Sequence, residues 1–349
     1  MEERQLVLPI DVLDPQDADV YVHPSIYHSY EQHRGRYSRV SASVRAGTVV
    51  FADAPYALIP TVDPTSKGSL ICSNLMCRRQ VKWDLECVTC PNDCIRDVVW
   101  CNSACRIQDQ ARHDFECSWL KKHGVTLRQR EGEYDFCMLW LVVRLVAARR
   151  LEMEYDPTSH ERYGWEDRFK RGWQAIEEFS TNRHLWPDAT IQHWEYLIQT
   201  YLRNFPGFPG PTELLGLICR EEINSFGLYP GITGTLPPGQ QRKRGQQYGL
   251  GCYPRATMLN HSCVPNLNRA SDDRGRMVIT ANQDIAADKE CTISYFDLVE
   301  HADLEDRQRL THEMFLFSCT CQRCLVEADK GSMPTTGRYD TLVCNGERQ

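Results

Sequence analysis

The sequence predicts an α+β protein in which a cysteine-rich module and a helical segment interrupt one larger domain. Short apolar runs that are typical of strands lie at residues 36–59 and again at residues 277–295. Between them, residues 192–205 carry apolar side chains at the three- and four-residue spacing of a helix. Eight of the 17 cysteines are concentrated between Cys72 and Cys117, directly after the first strands.

The composition is that of an ordinary globular protein. The chain has 349 residues, of which 42% are apolar and 25% are charged, and these values exclude a disordered or fibrous protein. The length suggests two or three domains. Because the net charge is -7, we expect no extended positively charged surface that would bind nucleic acid.

No signal peptide and no membrane span are predicted. The first 20 residues are rich in Asp and Glu and lack the basic start and apolar stretch of a signal peptide. The longest apolar run, residues 136–148, is interrupted by Arg144 and is shorter than the roughly 20 residues that a membrane span needs. We therefore expect this run to form a core helix. Core positions are also expected for four tryptophans: Trp100, Trp119, Trp140 and Trp194.

The elements before the cysteine-rich segment are strands, and those after it are first helices and then strands. The first strands are expected at residues 40–44, 49–51 and 57–59, with a turn at Ala46 and Gly47. Thr212 is a predicted N-cap for a helix that ends near Ile223. Later strands are expected at residues 277–280 and 291–295, followed by a helix at residues 303–315.

Two segments are predicted to lack regular structure. Residues 230–251 are rich in Gly, Pro, Gln and Arg and are predicted to form a flexible surface insertion. Its basic run, Arg242 to Arg244, is interpreted as part of a solvated loop, with a nuclear-localisation or nucleic-acid contact as the alternative. The tail after Glu327 has few apolar residues and is expected to be loose.

The first cysteine cluster predicts zinc. Disulfides are rare in a chain without an export signal, so clustered thiols with paired spacing favour a metal. Cys87 and Cys90 form a C-x2-C pair. Cys101 with Cys105, and His113 with Cys117, are spaced four residues apart, so each pair can bind one ion from one face of a helix. The eight candidate ligands suit two tetrahedral sites in an interleaved pairing: Cys72, Cys77, Cys101 and Cys105 on one ion, and Cys87, Cys90, His113 and Cys117 on the other. Cys94 is an extra thiol that is an alternative to Cys90.

This cluster resembles the MYND zinc finger. The family's order of an aromatic-Cys-x3-Cys step followed by His-x3-Cys is present from Trp100 to Cys117. Two features differ from the family pattern: the wider spacing of Cys72 and Cys77, and the long stretch between Cys90 and Cys101. Because all eight positions have protein ligands, the sites are expected to be structural, with a role in folding or partner docking.

Roughly residues 30–325 of the chain, taken together, resemble SET-domain methyltransferases, and specifically the SET-and-MYND subfamily. The segment GLGCYPRATMLNHSCVPN (residues 249–266) is similar to the core signature, and residues 282–295 are similar to the catalytic strand. Residues 35–37 and 45–51 resemble the opening strands, and residues 224–226 resemble a further family step. The resemblance implies a β-rich SET fold with a pseudoknot, S-adenosylmethionine (AdoMet) as methyl donor and a lysine amine as acceptor.

The resemblance also implies a role for individual residues. Tyr295 would be the catalytic residue that orients the amine and the methyl group, and Cys263 would complete a third zinc site with Cys319, Cys321 and Cys324. The cofactor-binding residues that it implies are Arg36, Tyr37, Asn224, Thr257, Leu259, Asn260, His261, Phe315 and Phe317. Tyr37 stands where the family has a glycine, so its ring is expected either to stack on the cofactor or to crowd it.

The implied chemistry is an in-line displacement at a sulfonium. The acceptor lysine must be neutral, whereas its pKa in water is about 10.4. A desolvated apolar channel beside a positive sulfonium favours the neutral amine. Alignment of the two reactants lowers the barrier by roughly 7–11 kcal/mol, so neither a catalytic metal nor a covalent intermediate is required.

The resemblance divides the chain into seven segments. They are an N-terminal extension at 1–30, the first SET part at 31–66, a MYND-type finger at 67–120, a helical SET insert at 121–229, the SET core at 230–300, a post-SET zinc segment at 301–327 and a loose tail at 328–349. The large C-terminal helical domain of longer relatives is expected to be missing.

Three functions are compatible with these patterns. The first is an AdoMet-dependent methyltransferase that acts on a lysine of a histone or non-histone protein. The second is a catalytically silent adaptor whose MYND module binds proline-rich peptides, an alternative that Tyr37 favours. The third is a transcription-associated module that acts through chromatin contacts. We expect a monomer in the nucleus or cytoplasm, without membrane association.

Overall fold

The computed structural model describes residues 20–31, 35–61, 69–82, 87–155, 172–237 and 239–330. Most of the predicted N-terminal extension and of the predicted loose tail lie outside the described residues. The strands are β1 Tyr21–Val22, β2 Ile26–Glu31, β3 Gly35–Val40, β4 Val49–Asp53, β5 Ala57–Pro60, β6 Ser69–Ile71, β7 Gln80–Lys82, β8 Val88–Thr89, β9 Val99–Trp100, β10 Ser225–Leu228, β11 Gly249–Cys252, β12 Asn260–His261, β13 Leu267–Ser271, β14 Met277–Ala281 and β15 Glu290–Ile293.

The helices confirm the mixed α+β class. They are α1 Ser103–Gln108, α2 Gln110–Arg130, α3 Glu133–Tyr155, α4 Gly172–Glu177, α5 Asp188–Leu197, α6 Pro211–Asn224, α7 Leu304–Phe315 and α8 Gln322–Lys330. Short 3-10 turns lie at Arg183–Leu185 and Ala256–Met258, and a π-helical turn at Ile198–Leu202 extends α5. Within the described ranges, no helix combines the length and the apolar character needed to cross a bilayer.

Strands from the two ends of the chain share the same sheets. One sheet has the order β1-β4-β14-β13, and β4 is antiparallel to β14, with Ala52 opposite Val278. A second sheet has the order β12-β15-β3-β2, and a third has the order β10-β11-β5. Because both ends contribute to each sheet, the zinc-rich and helical segments are insertions into one larger unit, as the sequence predicts.

The core has two main parts. The side chains of Val50, Phe51, Ile279 and Ile293 are fully buried between the sheets. The second part surrounds α3, whose residues 138–143 are buried on every face, so the prediction of a core helix at residues 136–148 is confirmed. The four tryptophans that the sequence predicts to be core residues are buried there as well.

The helix before β10 begins two residues earlier than predicted. Gly210 is the N-cap of α6 and Pro211 is its first residue, so the prediction of Thr212 as N-cap is wrong. Proline is favoured at this first position because its φ is already helical and its missing N–H would have no partner there. The helix passes directly into β10, and this places Asn224 at the junction of helix and strand.

The segment predicted as a surface insertion is partly integrated into the fold. Its last residues form β11, in which Gly249 is buried and Gly251 lies opposite Leu58 of β5. A Cβ atom at Gly251 would lie 2.9 Å from the Ala57 carbonyl oxygen, which explains the glycine there. The prediction is therefore wrong for these residues. By contrast, the predicted helix at residues 303–315 is confirmed, with Asp303 at its N-cap.

Candidate active site and metal centres

The four cysteines of the first predicted zinc site lie close together, which confirms this group. The ligand atoms of Cys72, Cys77, Cys101 and Cys105 all lie within 4.8 Å of one another. The Sγ of Cys101 is 3.6 Å from that of Cys77 and 3.3 Å from that of Cys105. The Asn102 side chain caps α1 by accepting from the Cys105 N–H at 2.8 Å, which fixes the i, i+4 pair.

The second set differs from the predicted one by one residue. The ligand atoms of Cys90, Cys94, His113 and Cys117 form a compact group, with Cys90 Sγ at 3.6 Å from Cys117 Sγ and at 3.1 Å from His113 Nε2. The predicted ligand Cys87 is therefore wrong, and Cys94 takes its place in this group.

The local backbone explains this correction. Cys87 is followed by strand β8, and an extended strand carries the chain about 10 Å over three residues, so Cys87 and Cys90 do not form a tight knuckle. After Cys90 the chain turns back instead: Asp93 adopts a left-handed φ of 48° and its N–H donates to the Cys90 carbonyl at 3.1 Å. The extra thiol of Cys94 was the feature of the sequence that could have indicated this ligand set.

The third group is the one predicted for the post-SET segment. Cys263, Cys319, Cys321 and Cys324 have their Sγ atoms within 4.8 Å of one another. Cys263 Sγ is 3.9 Å from Cys319 Sγ and 3.6 Å from Cys324 Sγ. Since tetrahedral thiolates bound at about 2.3 Å from zinc are roughly 3.8 Å apart, all three groups fit a zinc ion.

A buried carboxylate behind the second group was missed by the sequence analysis. Glu116 Oε1 lies 3.3 Å from His113 Nδ1, and Glu116 is completely buried. Burial alone would raise the pKa of Glu116, but Arg112 and Arg144 outweigh it and hold that pKa well below its usual range. A metal-binding histidine is commonly oriented by such a carboxylate on its other nitrogen.

The backbone around Tyr295 is set by the parallel pairing of β12 with β15. His261 lies opposite Ile293, two residues before Tyr295. The Tyr295 N–H donates to His261 Nδ1 at 3.1 Å, and the Tyr295 hydroxyl donates to the Leu259 carbonyl at 3.1 Å. Residues 260 and 261 therefore lie beside Tyr295, as a pseudoknot around this site requires.

Asn266 stabilises this arrangement through both ends of its side-chain amide. Its Oδ1 accepts from the Thr292 N–H at 2.8 Å, and its Nδ2 donates to the Glu290 carbonyl at 2.7 Å. The side chain thereby fills backbone positions along β15 that a neighbouring strand would otherwise occupy.

A cavity of about 590 Å³ adjoins the Tyr295 side chain. This size falls within the usual range of small-molecule sites. Apolar walls are supplied by Phe226 and Phe296. The predicted site residues that line the cavity are Asn224, Thr257, Leu259, Tyr295 and Phe315. The Phe315 ring is 4.9 Å from the Tyr295 ring, measured between centroids.

Two predicted cofactor residues on β3 do not line this cavity. Tyr37 is 2% exposed, its hydroxyl donates to Glu31 and the Arg39 guanidinium lies 5.9 Å from its ring centroid. The ring of Tyr37 therefore does not fill the cavity. Arg36 is partly exposed, and its Nη1 lies 4.0 Å from Glu178 Oε2.

The other three predicted residues outside the cavity lie around β12. Asn260 Nδ2 donates to Glu290 Oε1 at 3.1 Å, and the Phe317 ring is 6.0 Å from the His261 ring. Burial lowers the pKa of His261 to about 4, so its imidazole is neutral at pH 7. With Nδ1 accepting from Tyr295, the proton is on Nε2, which lies 3.3 Å from Cys263 Sγ.

Two arginines and two glutamates in the cavity wall were not predicted to be site residues. Arg269, which is 4% exposed, donates to the carbonyls of Ser294 and Tyr295, each at 3.1 Å, and thereby holds the backbone of Tyr295. Arg244 lines the same wall. Glu221 and Glu222 line another part of the cavity, and burial raises the pKa of Glu222 to about 7.

Comparisons with known proteins relate the whole chain to one family. The SET domain family model matches residues 39–296. The chain is 25% identical over 330 residues to the N-lysine methyltransferase SMYD2-B of Danio rerio, covering 93% of this chain and 65% of that protein. It is 25% identical over 306 residues to the histone-lysine N-methyltransferase SMYD3 of Mus musculus, covering 87% of this chain and 62% of that protein.

A shorter similarity points to the same group of proteins. The chain is 32% identical over 122 residues to the protein-lysine N-trimethyltransferase SMYD5 of Gallus gallus, covering 33% of this chain and 27% of that protein. The crystal structure of the SET domain of LSMT bound to lysine and AdoHcy aligns at a TM-score of only 0.35 with 10% identity, over 78% of this chain and 49% of that one, which is too weak to carry an argument. The chain spans less than two thirds of the length of each of these three SMYD relatives. The match over most of its length, together with the strand order around Tyr295, places the chain in the SET-domain family.

Proposed function

We propose that this protein transfers a methyl group from AdoMet to the side-chain amine of a lysine in a protein substrate. The observation that carries this proposal is the position of Tyr295, whose hydroxyl donates to the Leu259 carbonyl at the wall of an apolar cavity. The similarity to SMYD lysine methyltransferases supports the same reaction.

The residues of this chain suit an acceptor amine. Because the Tyr295 hydroxyl directs its proton to Leu259, its oxygen can accept from an amine N–H and orient the nitrogen lone pair. Phe226, Phe296 and Phe315 give the same space apolar walls. An amine that is desolvated against such walls has a lower pKa and is shifted towards the neutral form that reacts. AdoMet, when bound, supplies the electrophilic methyl group.

The cofactor is proposed to be held by the residues that the family resemblance assigns to it. Asn260 and His261 supply polar groups beside Tyr295, and Phe317 supplies an aromatic face close to His261. Arg36, Tyr37, Asn224, Thr257, Leu259 and Phe315 complete the proposed set. Cys263 and its three partners would fasten the segment that carries Phe315 and Phe317.

The test separates cofactor binding from transfer. Calorimetry with AdoMet measures binding, and transfer of a radiolabelled methyl group to a peptide library measures catalysis. Tyr295→Phe should leave AdoMet affinity within about threefold and lower transfer about 100-fold, since one positioned polar group contributes that much in comparable sites. Tyr201→Phe is the matched control, because the Tyr201 hydroxyl also donates a hydrogen bond, to Glu131, and Tyr201 does not line the cavity. Full transfer by Tyr295→Phe would contradict the proposal.

The protein partners and location are narrower proposals. We propose that the zinc module also docks proline-rich peptides, supported by its apolar surface, where Met76 is 71% and Ile107 is 69% exposed. Loss of peptide binding in Met76→Ser with Ile107→Ser, at unchanged zinc content, would support this role. A monomer in the nucleus or cytoplasm stays a prediction, as do the seven segment boundaries.

A further inference from the structure

Two neighbouring arginines form one part of the wall of the cavity beside Tyr295, which Glu221 and Glu222 line elsewhere. Arg244 and Arg269 both line it, and neither forms an ion pair within 4.0 Å among the residues that the structure describes. Arg269 is satisfied by backbone carbonyls alone. Two neighbouring guanidinium groups without a carboxylate are costly to bury, so this wall favours an incoming anion.

Of these two arginines, Arg244 has an N–H group that, within the described ranges, is free to donate a hydrogen bond to a ligand. Its Nη1 atom is buried and has no hydrogen-bond partner in the described part of the chain. Its guanidinium carbon lies 3.6 Å from the centroid of the Tyr229 ring, a stacking that leaves the edge of the guanidinium group available. The Tyr229 hydroxyl in turn donates to Gln247 at 2.9 Å, which fixes the ring.

Two acidic residues, Asp297 and Glu300, electrostatically oppose the lowering of the Arg244 pKa by burial, but they form their hydrogen bonds and ion pairs with groups other than its guanidinium. Asp297 accepts from the backbone N–H of Arg244 at 2.7 Å and from that of Val299 at 2.9 Å. Glu300 pairs with Lys243 at 3.5 Å. Neither carboxylate contacts the Arg244 guanidinium, so the position for a carboxylate is left to a ligand.

The backbone of Arg244 is fixed in advance of binding. Its N–H is held by Asp297, and its carbonyl accepts from the Gly231 N–H at 2.8 Å. The approach is so close that a Cβ atom at Gly231 would lie 2.8 Å from the Arg244 Cα. A side chain on such an anchored backbone loses less entropy on binding than one on a mobile loop.

We propose that Arg244 binds the carboxylate of an Asp or Glu that lies near the acceptor lysine in the substrate, so that the enzyme selects lysines with an acidic neighbour. This inference rests on the proposed function, since Tyr295 and Arg244 line one cavity. The carboxylate of AdoMet is the other source of the same chemistry. Four predicted cofactor residues line this cavity and five do not, so the two sources are separated by experiment. The anchored backbone of Arg244 and its place in the cavity that Tyr295 lines are the reasons to propose the peptide.

The test uses binding, so it does not depend on turnover. Two pools of fluorescent peptides with a central lysine are compared, one with Asp and Glu at the flanking positions and one with Asn and Gln, in the presence of S-adenosylhomocysteine. The full chain should bind the acidic pool at least fivefold more tightly by anisotropy. Arg244→Gln should remove this difference, and Arg244→Glu should favour a third pool with Lys and Arg flanks. Arg242→Gln, on the exposed part of the same loop, is the control and should keep the preference.

Three outcomes would overturn the proposal. They are equal binding of the acidic and amide pools by the unaltered chain, an acidic preference that survives in Arg244→Gln, and a loss of AdoMet affinity in Arg244→Gln that equals its loss of peptide affinity. The last result, measured by calorimetry, would assign the arginine to the cofactor carboxylate. Absence of methyl transfer with an intact acidic preference would count against the proposed function alone.

Discussion

Glu116 Oε2 and Arg144 Nε lie 3.0 Å apart in the fully buried interior between α2 and α3. The same carboxylate accepts from Trp140 Nε1 at 2.9 Å, and its other oxygen faces His113 of the second zinc group. Arg144 in turn donates to the carbonyl of Leu58 in β5. A chain of polar contacts therefore connects a metal ligand with the sheet that contains the glycine-rich strand β11.

Glu116→Gln should destabilise the protein by about 3–5 kcal/mol, because it leaves the buried Arg144 without a counter-charge and leaves Arg112 with Asp109 alone. Urea unfolding followed by tryptophan fluorescence measures the change. Glu195→Gln, on the exposed side of α5, should change the free energy of unfolding by less than about 0.5 kcal/mol. A similarly small effect of Glu116→Gln would show that this network does not stabilise the fold.

Removal of zinc should unfold the cysteine-rich module and the C-terminal segment. The free energy of metal binding is also folding free energy where small segments have little core of their own. Metal analysis of the purified protein should give three zinc ions, and a strong chelator should lower the melting temperature. Unchanged melting with complete loss of zinc would contradict a structural role.

The corrected ligand set makes Cys94 and Cys87 a matched pair of substitutions. Cys94→Ser should remove one zinc ion and lower stability, since Cys94 Sγ lies 3.9 Å from His113 Nε2 in the second group. Cys87→Ser should keep all three ions, because Cys87 lies outside that group. Zinc content by mass spectrometry of the native protein distinguishes the two variants, and the reverse pattern would restore the set expected from the C-x2-C spacing.

Glu222 should make the protein less stable as the pH rises. Folding raises the pKa of this carboxyl from 4.5 to about 7 through burial, so the folded state binds an extra proton. The protonation of Glu222 therefore contributes its full share to the free energy of unfolding below about pH 4.5. This share is lost as the pH rises through about 7. Glu222→Gln should therefore gain stability relative to the unaltered chain between pH 5.5 and pH 8 in parallel thermal melts. A constant difference between the two proteins across this range would argue against the shift.

Asn266→Ala should weaken the site without altering the cavity wall directly. It removes one acceptor from the Thr292 N–H and one donor from the Glu290 carbonyl, at a cost of about 1–3 kcal/mol for each group left unsatisfied. Gln246→Ala at an exposed position is the control. Hydrogen exchange should show faster exchange at Thr292 in the first variant only, and equal protection in both would contradict this role.

The parts of the site that follow from local spacing could be predicted from the sequence. The i, i+4 pairs and the C-x-C-x2-C run indicated their metal sets because short segments fix the relative positions of their thiols. Cys94 was misassigned because the choice between Cys87 and Cys94 depends on whether the backbone around Cys90 extends or turns, which the spacing alone does not determine. Tyr295 was identified through the family signature and not through any property of an isolated tyrosine.

Buried charges were beyond sequence analysis for a different reason. Glu116, Arg244 and Arg269 look like ordinary surface residues in the sequence, because charged residues are usually exposed and the partners that bury these three are mostly distant in the chain. Arg269 is balanced by carbonyls of residues 294 and 295, and Glu116 by Arg144 of the next helix. Such residues become visible only when the tertiary structure brings distant backbone and side chains together.

The pairing of β4 with β14 has a consequence for biosynthesis. When the ribosome has produced β4, its partner strand β14 at Met277–Ala281 has not yet been translated. The edge of β4 that pairs with β14 therefore stays unpaired while the zinc module and the helices form. Exposed strand edges of this kind are prone to association with other nascent chains. We expect the yield of native protein in cell-free translation to depend on chaperones up to the moment when residue 281 leaves the exit tunnel.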